Sequence, residues 1–304
     1  MDPFEISIII INYNTSQLTS NCVESIIKHE HNKSIEFIII DNASMEEDFQ
    51  NLVKLTSNVA NLKIFRSKIN LGFAAGNMLG YQFSNGKFTA FINSDVLFIE
   101  PVFSTLIFFM NKNLDAGVCG PQILNSELEK SISFRPFEGL RYKILGKNFL
   151  AFTNPKKANM KKDYKIPTMV DFVIGSFMFF NTKAFNQIGG FDINTFLYYE
   201  ESDICYRLKQ NGFKTYFIPE VQYIHLEGKS SQVNFNLKLE HIISYLYVTR
   251  KNSGLIKYCI IKYFLIVSYL FKAPFKKKNR FMFINLLKMN ESLALSMRHN
   301  QKIN

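Results

Sequence analysis

Residues 6–11 read ISIIII and run directly into Asn12, Tyr13, Asn14 and Thr15. A continuous run of β-branched residues is typical of a strand that is buried on both faces of a parallel sheet. The polar residues that follow can form a turn and cap a helix, and the next dozen residues carry apolar side chains at helical spacing. The chain is therefore predicted to begin with a buried strand, a polar turn and an amphipathic helix.

The same order of elements repeats further along the chain. Residues 37–40 predict a second buried strand, residues 62–65 a short third strand and residues 88–92 another, with a helix between the second and the third. Alternating strands and helices predict an α/β domain with right-handed crossovers. In such sheets ligands bind beyond the carboxyl ends of the strands, so the residues that follow each strand are the first candidates for a site.

Polar and acidic residues follow the first two strands. Asn12, Tyr13 and Asn14 come after the first strand, and Asp41 opens the sequence DNAS after the second. An aspartate at such a position can accept hydrogen bonds from a nucleotide base or ribose, or it can form an Asx turn or a helix cap. The local sequence leaves both roles open for Asp41.

The strand at residues 88–92 runs into Asn93, Ser94 and Asp95. A carboxylate at the end of a strand, preceded two residues earlier by an amide, suits an oxygen-ligand site for Mg²⁺ or Mn²⁺ carried on a diphosphate. The alternative role of Asp95 is that of a cap. The sequence therefore offers one candidate metal ligand at this strand end.

The stretch NLGFAAGN at residues 70–77 is rich in small residues. Small residues let a ligand or another backbone approach closely. The spacing differs from that of a P-loop, and no Lys-Ser/Thr pair follows it. The stretch predicts a close approach without identifying the partner.

An acidic cluster follows an aromatic run near the end of the α/β region. Glu200, Glu201 and Asp203 precede Ile204 and Leu208, whose spacing predicts a helix that begins near Glu200. The helix dipole favours acidic side chains in a first turn, so the cluster could simply mark the start of a helix. It could also supply a carboxylate that removes a proton from a substrate hydroxyl.

Two further segments flank this cluster. Residues 169–180 predict a strand that is interrupted by Gly175 and Ser176, where another group approaches the backbone. Residues 214–219 predict another strand, and His225 follows it before a Gly/Ser turn. His225 is either a structural histidine or lies at the edge of a site.

The net positive charge of the chain comes entirely from its C-terminal quarter. Residues 232–304 hold 13 of the 36 Lys/Arg and only two of the 25 Asp/Glu, which accounts for the net charge of +11. Residues 255–275 are apolar and aromatic, but their longest uncharged run is far below the roughly 20 residues that span a bilayer. An apolar face flanked by basic residues predicts a helix lying in a membrane interface, and a core-packing helix with solvated lysines is the alternative.

The composition predicts a globular protein with reduced cysteines. The chain has 304 residues, of which 47% are hydrophobic and 20% charged. Its four cysteines are scattered without a C-x-x-C pair, as in a cytosolic protein, and neither zinc nor a signal peptide is indicated. Residues 134–165, which are rich in Lys and Arg and contain two prolines, predict a long functional or partly disordered loop.

Seven stretches follow one another in an order that is specific to one family. They are SIIIINYNTSQLTSNCVESI, FIIIDNAS, NLGFAAGNMLGY, FINSDV, DFVIGSFMFFNTKAFNQIGGFD, FLYYEESDICYRL and YIHLEGKSS. Together they resemble the family 2 glycosyltransferases, and within these the bacterial rhamnosyltransferase-like branch. The resemblance implies a GT-A fold, which is a mixed α/β sheet flanked by helices, over residues 1–231, followed by a helical, basic extension over residues 232–304.

The resemblance also implies which residues bind the donor. The positions that match the family's nucleotide-sugar site are Asn12, Tyr13, Asn14, Asp41, Asn70, Gly72, Ala74, Asn77, Asn93 and Ser94. The family's metal-binding Asp-x-Asp corresponds to residues 93–95, where the first aspartate is replaced by asparagine. Asp95 would then be the ligand of Mg²⁺ or Mn²⁺, and His225 would complete the metal shell.

For catalysis the resemblance implies an inverting transfer of a sugar from a nucleotide-sugar to a hydroxyl. The family places its base in a Glu-Asp pair at the head of a helix, and this chain has Glu200 and Glu201 there. We expect Glu201 to be the base and Glu200 to support the site. Gly175 and Ser176 would lie on the acceptor side, and Asp203 would either lie there or be structural.

The expected reaction is transfer of rhamnose from dTDP-rhamnose to a saccharide acceptor in bacterial cell-surface polysaccharide synthesis. We expect a lipid-linked acceptor and a cytoplasmic enzyme bound peripherally to the inner membrane. One alternative is a donor such as UDP-galactofuranose, UDP-glucose or a UDP-N-acetylhexosamine, and another is an inactive scaffold. Nucleic acid is disfavoured as a partner because the basic residues accompany apolar runs without a recognition motif.

Overall fold

The computed structural model describes residues 4–31, 34–137, 158–160, 162–226, 235–289 and 293–301. Most of the loop predicted at residues 134–165 therefore lies outside the described residues. The same is true of the Gly/Ser turn after His225 and of the domain boundary predicted between residues 231 and 232.

The described residues form eleven strands and nine α-helices. The strands are β1 (Ile6–Asn12), β2 (Ile35–Asn42), β3 (Leu62–Ser67), β4 (Phe88–Asn93), β5 (Val96–Phe98), β6 (Ala116–Leu124), β7 (Phe134–Arg135), β8 (Thr168–Val170), β9 (Phe172–Val173), β10 (Phe177–Asn181) and β11 (Lys214–His225). The helices are α1 (Ser16–His29), α2 (Glu46–Thr56), α3 (Gly72–Tyr81), α4 (Phe103–Lys112), α5 (Thr182–Gln187), α6 (Glu200–Gln210), α7 (Phe235–Ser253), α8 (Leu255–Lys272) and α9 (Lys277–Lys288).

Nine of the strands form one mixed sheet. Its order is β3-β2-β1-β4-β10-β6-β11-β5, and β8 pairs with β11 beside this path. Strands β3, β2, β1 and β4 are parallel, β10 runs antiparallel to β4 and β6, and β11 is parallel to β6. The carboxyl ends of β1, β2, β4 and β11 therefore meet at one edge of the sheet. This mixed sheet between helices confirms the predicted fold class.

The run of isoleucines in β1 is explained by burial on both faces of the sheet. Ile8 and Ile10 pack on one face against α1 and α4, whereas Ile9 packs on the other face with Phe91 and Phe180. Successive side chains of a strand point to opposite faces, so a central strand covered on both sides is apolar at nearly every position, and the buried hydroxyl of Ser7 bonds to Glu36. The sequence pattern and the layered core thus have the same cause.

Two predicted strands differ from those observed. The strand predicted over residues 169–180 is divided into β8, β9 and β10 because each of the three has different neighbours. Strand β8 pairs with β11, β9 pairs with β7, and β10 lies between β4 and β6. The strand predicted over residues 214–219 continues to His225. Its register on β6 shifts between Ile218 and Gln222, where Pro219 lacks the N–H that a ladder needs.

The C-terminal helices α7, α8 and α9 enclose a third core. It contains Leu239 and Ile243 of α7, Ile261 of α8 and Leu286 of α9, and Tyr199 packs against it. The helical character predicted for this part of the chain is confirmed in its described residues. None of the described helices is long and apolar enough to cross a membrane.

Candidate active site

The turns after β1 and β2 are joined by the side chain of Asn12. Its amide nitrogen lies 3.0 Å from Asp41 Oδ1, 3.1 Å from Ser44 Oγ and 2.9 Å from Asp48 Oδ2. Asn12 and Asp41 are both fully buried. These two predicted donor-site residues therefore hold the turns in place and do not present their side chains at the surface.

The other two residues of the first turn are more accessible. Asn14 has a φ of +55°, its N–H donates to Ser44 Oγ (2.9 Å) and its Oδ1 accepts from the N–H of Met45 (2.8 Å). Left-handed asparagine is common in turns because its side chain bonds locally. The ring of Tyr13 is 45% exposed, so Tyr13 is the predicted residue of this turn that can contact a ligand.

Arg66 near the end of β3 lies beside these turns, although the sequence did not single it out. Its Nε is 3.2 Å from Asp41 Oδ2 and its Nη2 donates to the carbonyl oxygen of Ser44 (3.0 Å). It also pairs with Glu46 and its guanidinium lies 4.2 Å from the ring centroid of Phe49. The guanidinium group of Arg66 thus lies at the carboxyl edge of the sheet. In the sequence, only the position of Arg66 near the end of a strand could have indicated a role in the site.

The NLGFAAGN stretch closely approaches another part of the backbone. Gly72 has a φ of +75°, and a Cβ there would lie 2.1 Å from the carbonyl oxygen of Phe196. The N–H of Phe73 donates to the same oxygen (2.7 Å). Asn70 Oδ1 accepts from the N–H of Gly72 (2.8 Å) and from Asn42 Nδ2 (2.9 Å). The small residue at 72 is therefore required by the segment that contains Phe196.

Two further predicted donor residues of this stretch lie on the buried side of α3. Ala74 is fully buried and Asn77 is 1% exposed. Within the part of the chain that the structure describes, the amide oxygen of Asn77 has no hydrogen-bond partner. In this conformation both residues pack under the site and do not line its open edge.

Asp95 and His225 lie together, as the resemblance implied. Asp95 Oδ1 and His225 Nε2 are 3.2 Å apart, and both side chains are largely buried. The N–H of Leu226 donates to the carbonyl oxygen of Asp95 (2.9 Å). Thr15 Oγ1 donates to Ser94 Oγ (3.2 Å), which joins this turn to the one after β1. The end of β11 is thus fixed beside the turn that follows β4.

The Asp95 and His225 pair fits a cation that arrives with a diphosphate. Among the described residues, no group of three or more His, Cys, Asp or Glu side chains could hold a metal ion. Mg²⁺ commonly takes only one or two protein ligands and completes its shell with substrate phosphates and water. His225 Nδ1 is buried and has no hydrogen-bond partner among the residues described. No protein hydrogen bond to this atom therefore prevents the imidazole ring from rotating to bind a cation. The donor set suits a shared cation and not an independent metal centre.

Glu200 and Glu201 open α6 after a strained turn. Tyr198 and Tyr199 precede them with φ values of +75° and +69°. Two successive left-handed residues that are not glycine are uncommon and are retained where the surrounding structure imposes them, often at functional sites. Glu200 is 3% exposed, while Glu201 is partly exposed.

The two carboxyl groups differ in how readily they ionise. Burial raises the pKa of both, and the neighbouring charge of Glu201 raises the pKa of Glu200 further. A hydrogen bond from the backbone N–H of Glu201, the charge of Arg135 and a hydrogen bond from Glu200 act to lower the pKa of Glu201. The pKa of Glu200 is therefore raised by burial and by the charge of its neighbour, whereas opposing contacts make Glu201 the group of the pair that loses its proton more readily. Arg135 was predicted only as part of the basic loop.

Gly175 and Ser176 lie between the pair Glu200 and Glu201 and the turn at residues 93–95. A Cβ on Gly175 would lie 3.8 Å from Glu201 Oε2, so this glycine borders the carboxylate directly. The carbonyl oxygen of Ser176 accepts from the N–H of Asn93 (2.9 Å), and its hydroxyl lies 2.8 Å from the hydroxyl of Tyr223. Because Ser176 is buried, its side chain supports the site from behind.

The structure does not place Asp203 where it could contact an acceptor. Its burial and its contacts instead favour the structural role that was the alternative. Asp203 is fully buried and accepts from Arg207 Nε (2.8 Å), Lys251 Nζ (2.9 Å) and Asn252 Nδ2 (3.1 Å). Its carboxylate joins α6 to α7. The sequence could not reveal this because Lys251 and Asn252 belong to the C-terminal extension.

Two family models match the chain. The model described as "Glycosyl transferase family 2" matches residues 7–189, which is more than half of the chain, and that described as "Glycosyl transferase family group 2" matches residues 140–299. The chain belongs to glycosyl transferase family 2. The predicted family and the predicted enzyme class are confirmed.

Named relatives of this glycosyltransferase include two that align over about three quarters of it. A low-salt glycan biosynthesis hexosyltransferase of Haloferax volcanii is 26% identical over 73% of this chain and 67% of its own length. A rhamnosyltransferase of Escherichia coli is 22% identical over 74% of this chain and 92% of its own length. An N-acetylglucosaminyl-diphospho-decaprenol L-rhamnosyltransferase of Mycobacterium tuberculosis is 29% identical over 28% of each chain.

A solved structure confirms the GT-A fold of this glycosyltransferase. The crystal structure of GalNAc-T7 with UDP, GalNAc and Mn²⁺ superposes with a TM-score of 0.62 at 17% identity. The superposition covers 82% of this chain and 48% of that one. The chain thus spans about half the length of this structural neighbour.

Proposed function

We propose that this glycosyltransferase moves a hexose, with inversion, from a nucleotide-sugar to a hydroxyl of a lipid-linked saccharide. The observation that carries the proposal is the contact between the two halves of the site. Gly175 borders Glu201, and the adjacent Ser176 is bonded to Asn93 in the motif that holds Asp95. The backbone of Gly175 and Ser176 therefore links the proposed base, Glu201, to the proposed diphosphate-binding turn at residues 93–95.

The ionised carboxylate of Glu201 acts as the general base. It accepts the proton of the acceptor hydroxyl while that oxygen forms a bond to C1 of the donor sugar. The bond from C1 to the diphosphate breaks, and the nucleoside diphosphate leaves with the electron pair. Because the attack comes from the side opposite the leaving group, the anomeric centre inverts. General base catalysis of this kind contributes about 10²–10⁴-fold.

Protonated Glu200 keeps Glu201 in place by donating to it. Two adjacent carboxyl groups in a buried site share one proton, because both cannot be charged at once. The proton on Glu200 leaves Glu201 free to accept the proton of the acceptor. Neighbouring Gly175 lacks a side chain, which leaves room beside the carboxylate for the acceptor hydroxyl.

On the donor side, Asp95 and His225 would hold Mg²⁺ or Mn²⁺. When bound, the cation offsets the charge that develops on the departing diphosphate. Tyr13 and the backbone of the turn after β1 are positioned to contact the nucleotide, while buried Asn12 and Asp41 fix that turn. The names of the relatives from Escherichia coli and Mycobacterium tuberculosis support rhamnose as the transferred sugar, and dTDP-rhamnose is the donor that we expect.

An exposed apolar face of α8 supports attachment to a membrane surface. Its large exposed side chains recur at helical spacing and are Ile256, Ile260, Tyr263, Phe264, Leu270 and Phe271, with Phe275 beyond the end of the helix. The opposite face carries Tyr258, Ile261 and Leu265, which are buried in the third core. An apolar stripe with basic flanks fits a helix in a membrane interface. We place the enzyme on the cytoplasmic face of the inner membrane, in cell-surface polysaccharide synthesis.

The test of the activity is turnover of a panel of donors with an acceptor extract, with and without Mg²⁺ or Mn²⁺. We expect metal-dependent release of dTDP from dTDP-rhamnose, reduced about 10²–10⁴-fold by Glu201→Gln. Glu127→Gln, which changes an exposed carboxylate in a remote turn, should leave turnover unchanged. Turnover of a UDP-sugar would refute rhamnose and keep the mechanism, whereas no turnover of any donor would favour an inactive scaffold.

The membrane attachment is tested by flotation of the full chain with anionic vesicles. Replacing Phe271 and Phe275 by serine removes two exposed rings from the stripe, so we expect the bound fraction to fall sharply. Replacing exposed Leu114 and Leu128, which lie outside the C-terminal helices, is the control. Retention on DNA with the same salt dependence as on vesicles would support nucleic acid as the partner instead.

A further inference from the structure

Four lysines from three helices surround one cavity at the C-terminal helices. Lys238 of α7, Lys272 of α8, Lys278 of α9 and Lys276 just before α9 line a volume of about 440 Å³. In the described part of the chain, no carboxylate forms an ion pair with any of the four. A concave site with four unneutralised cations is suited to a multiply charged anion.

The N-terminus of α9 adds to this positive potential. Lys276 is the N-cap residue, no side chain caps the helix and no acidic residue lies in its first turn. The first turn instead carries Lys277, Lys278 and Arg280. Cations at the positive end of a helix are unfavourable, and the free N–H groups there bind anions. The densest basic run of the sequence therefore lies at a helix end where a bound anion would stabilise it.

A second cavity adjoins the lysines and is bordered by His241 of α7. Lys238 and Lys272 also line a neighbouring volume of about 400 Å³, which His241 borders as well. The ring of His241 lies 5.2 Å from that of Tyr198 and 5.0 Å from that of Tyr199. These tyrosines directly precede Glu200. The second cavity thus extends from two of the lysines to His241, whose ring contacts the tyrosines that precede the candidate base.

We propose that this lysine cluster binds the diphosphate of the lipid-linked acceptor and that the acceptor saccharide lies along the second cavity toward Glu201. The inference rests on the proposed function, because it assigns a place to the acceptor of that reaction. Lysine is a common point-charge ligand of phosphate. Phe275, which is 81% exposed beside the cluster, would contact the start of the isoprenoid chain.

An isoprenoid diphosphate explains features that a phospholipid headgroup does not. Attraction to an anionic membrane surface needs only exposed basic residues, and it is satisfied by Lys257 and Lys288 elsewhere on α8 and α9. It requires neither a cavity nor a connection to the catalytic segment. The concave lysine cluster and the adjoining second cavity, which reaches His241 beside Tyr198 and Tyr199, favour a substrate site.

The first test is binding of farnesyl diphosphate to the full chain in neutral detergent micelles. We expect the double variant Lys272→Gln/Lys276→Gln to bind at least about tenfold more weakly, which corresponds to 1.4 kcal/mol. Lys257→Gln/Lys288→Gln makes the same charge change on exposed positions of the same region and should bind within about twofold of the wild type. Equal affinity of the two variants would overturn the proposal, as would competition by phosphatidylglycerol as strong as that by pyrophosphate.

The second test compares two acceptors that carry the same saccharide, one on an isoprenoid diphosphate and one on a neutral octyl chain. In Lys272→Gln/Lys276→Gln we expect KM for the diphosphate acceptor to rise at least about tenfold, while KM for the octyl glycoside and for the donor stay unchanged. An equal rise for both acceptors would contradict the assignment. If the wild type binds farnesyl diphosphate in a lysine-dependent way but transfers to neither acceptor, the binding site stands and the proposed function fails.

Discussion

The ion pairs around Asp203 predict that the C-terminal helices hold the catalytic helix in place. Asp203 is fully buried in the first turn of α6 and contacts Arg207, Lys251 and Asn252. Lys251 is also paired with Asp192 at 2.6 Å. Asp203→Asn removes the central negative charge while it preserves the shape of the side chain, so it tests the charge and not the packing.

The structure sets the size of the expected effect. Removing one partner of a buried ion pair costs about 3–5 kcal/mol when the other charge is left without compensation. In Asp203→Asn, Lys251 keeps Asp192, and Arg207 still donates to the carbonyl oxygen of Ile188 (2.8 Å). Because both cations keep a partner, we expect a loss smaller than that range, about 2–3 kcal/mol of unfolding free energy.

The matched control is Asp115→Asn. Asp115 pairs with Lys214 at 2.6 Å, but the two side chains are 41% and 47% exposed. Solvent-exposed pairs are worth about 0–1 kcal/mol, so the same chemical change should have little effect there. The contrast between the two variants separates a buried network from a surface pair.

The assays are urea unfolding followed by circular dichroism, and steady-state turnover of the folded variants. We expect kcat of Asp203→Asn to fall about tenfold with KM for the donor unchanged, because small displacements of a catalytic group are costly. A loss of stability no greater than that of Asp115→Asn, together with an unchanged kcat, would refute the idea that this network positions α6.

Three further predictions concern the site itself. Burial raises the pKa of Glu201 and the charge of Arg135 partly offsets that rise, so Arg135→Gln should move the acid limb of the pH–rate profile of kcat/KM to higher pH, and an unchanged limb would exclude this electrostatic contact. The pKa of Glu200 is raised by burial above its ordinary value of 4.5; the folded state therefore holds a proton that the unfolded state releases, and stability falls as pH rises through the raised value. In Glu200→Gln this decline should be smaller, so parallel urea midpoints of variant and wild type across pH would count against it. Gly72→Ala places a Cβ 2.1 Å from the carbonyl oxygen of Phe196 at a φ of +75°, and should cost at least about 1–2 kcal/mol from conformation alone; an unfolding free energy equal to that of the wild type would show that this backbone can shift freely.

The positions of the strand-end motifs could be predicted because they depend on local patterns. The strand before Asn12 and the helix after Glu200 follow from residue spacing, and the parallel sheet then brings the strand ends together. Roles that depend on distant partners could not be predicted in this way. Asp203 has the same local signature as Glu201, and its burial and its contacts with Lys251 and Asn252, which are distant in sequence, distinguish it from the candidate base.

Several residues lie at the predicted positions in the fold, but their side chains are buried and therefore have a different role from the one predicted. Asp41 lies at the predicted edge of the sheet, but it is enclosed by Asn12 and Arg66. A sequence motif records that a residue is needed at a turn and does not record whether its side chain faces outward. Arg66 and Arg135 were overlooked for the opposite reason, since each is a single basic residue whose importance arises from the carboxylate opposite it.

The segment from Asp192 to Tyr199 makes the two predicted parts of the chain mechanically dependent on each other. Toward the donor side, the carbonyl oxygen of Phe196 accepts from Phe73 at the start of α3. Toward α7, Asp192 accepts from Tyr247 and the carbonyl oxygen of Leu197 accepts from Ser244, each at 2.8 Å. The segment then ends in the two left-handed tyrosines that aim the catalytic pair.

A displacement of α7 would therefore reach the donor loop and Glu200 through the same eight residues. Strained tyrosines persist only where surrounding contacts over-determine them, and His241 of α7 supplies such contacts to both rings. If Glu200 and Glu201 act as proposed, helix α7 thus supports the candidate active site, in addition to the proposed role of α8 in membrane attachment. Binding of a lipid-linked acceptor against α7, α8 and α9 would act directly on the segment that positions the base.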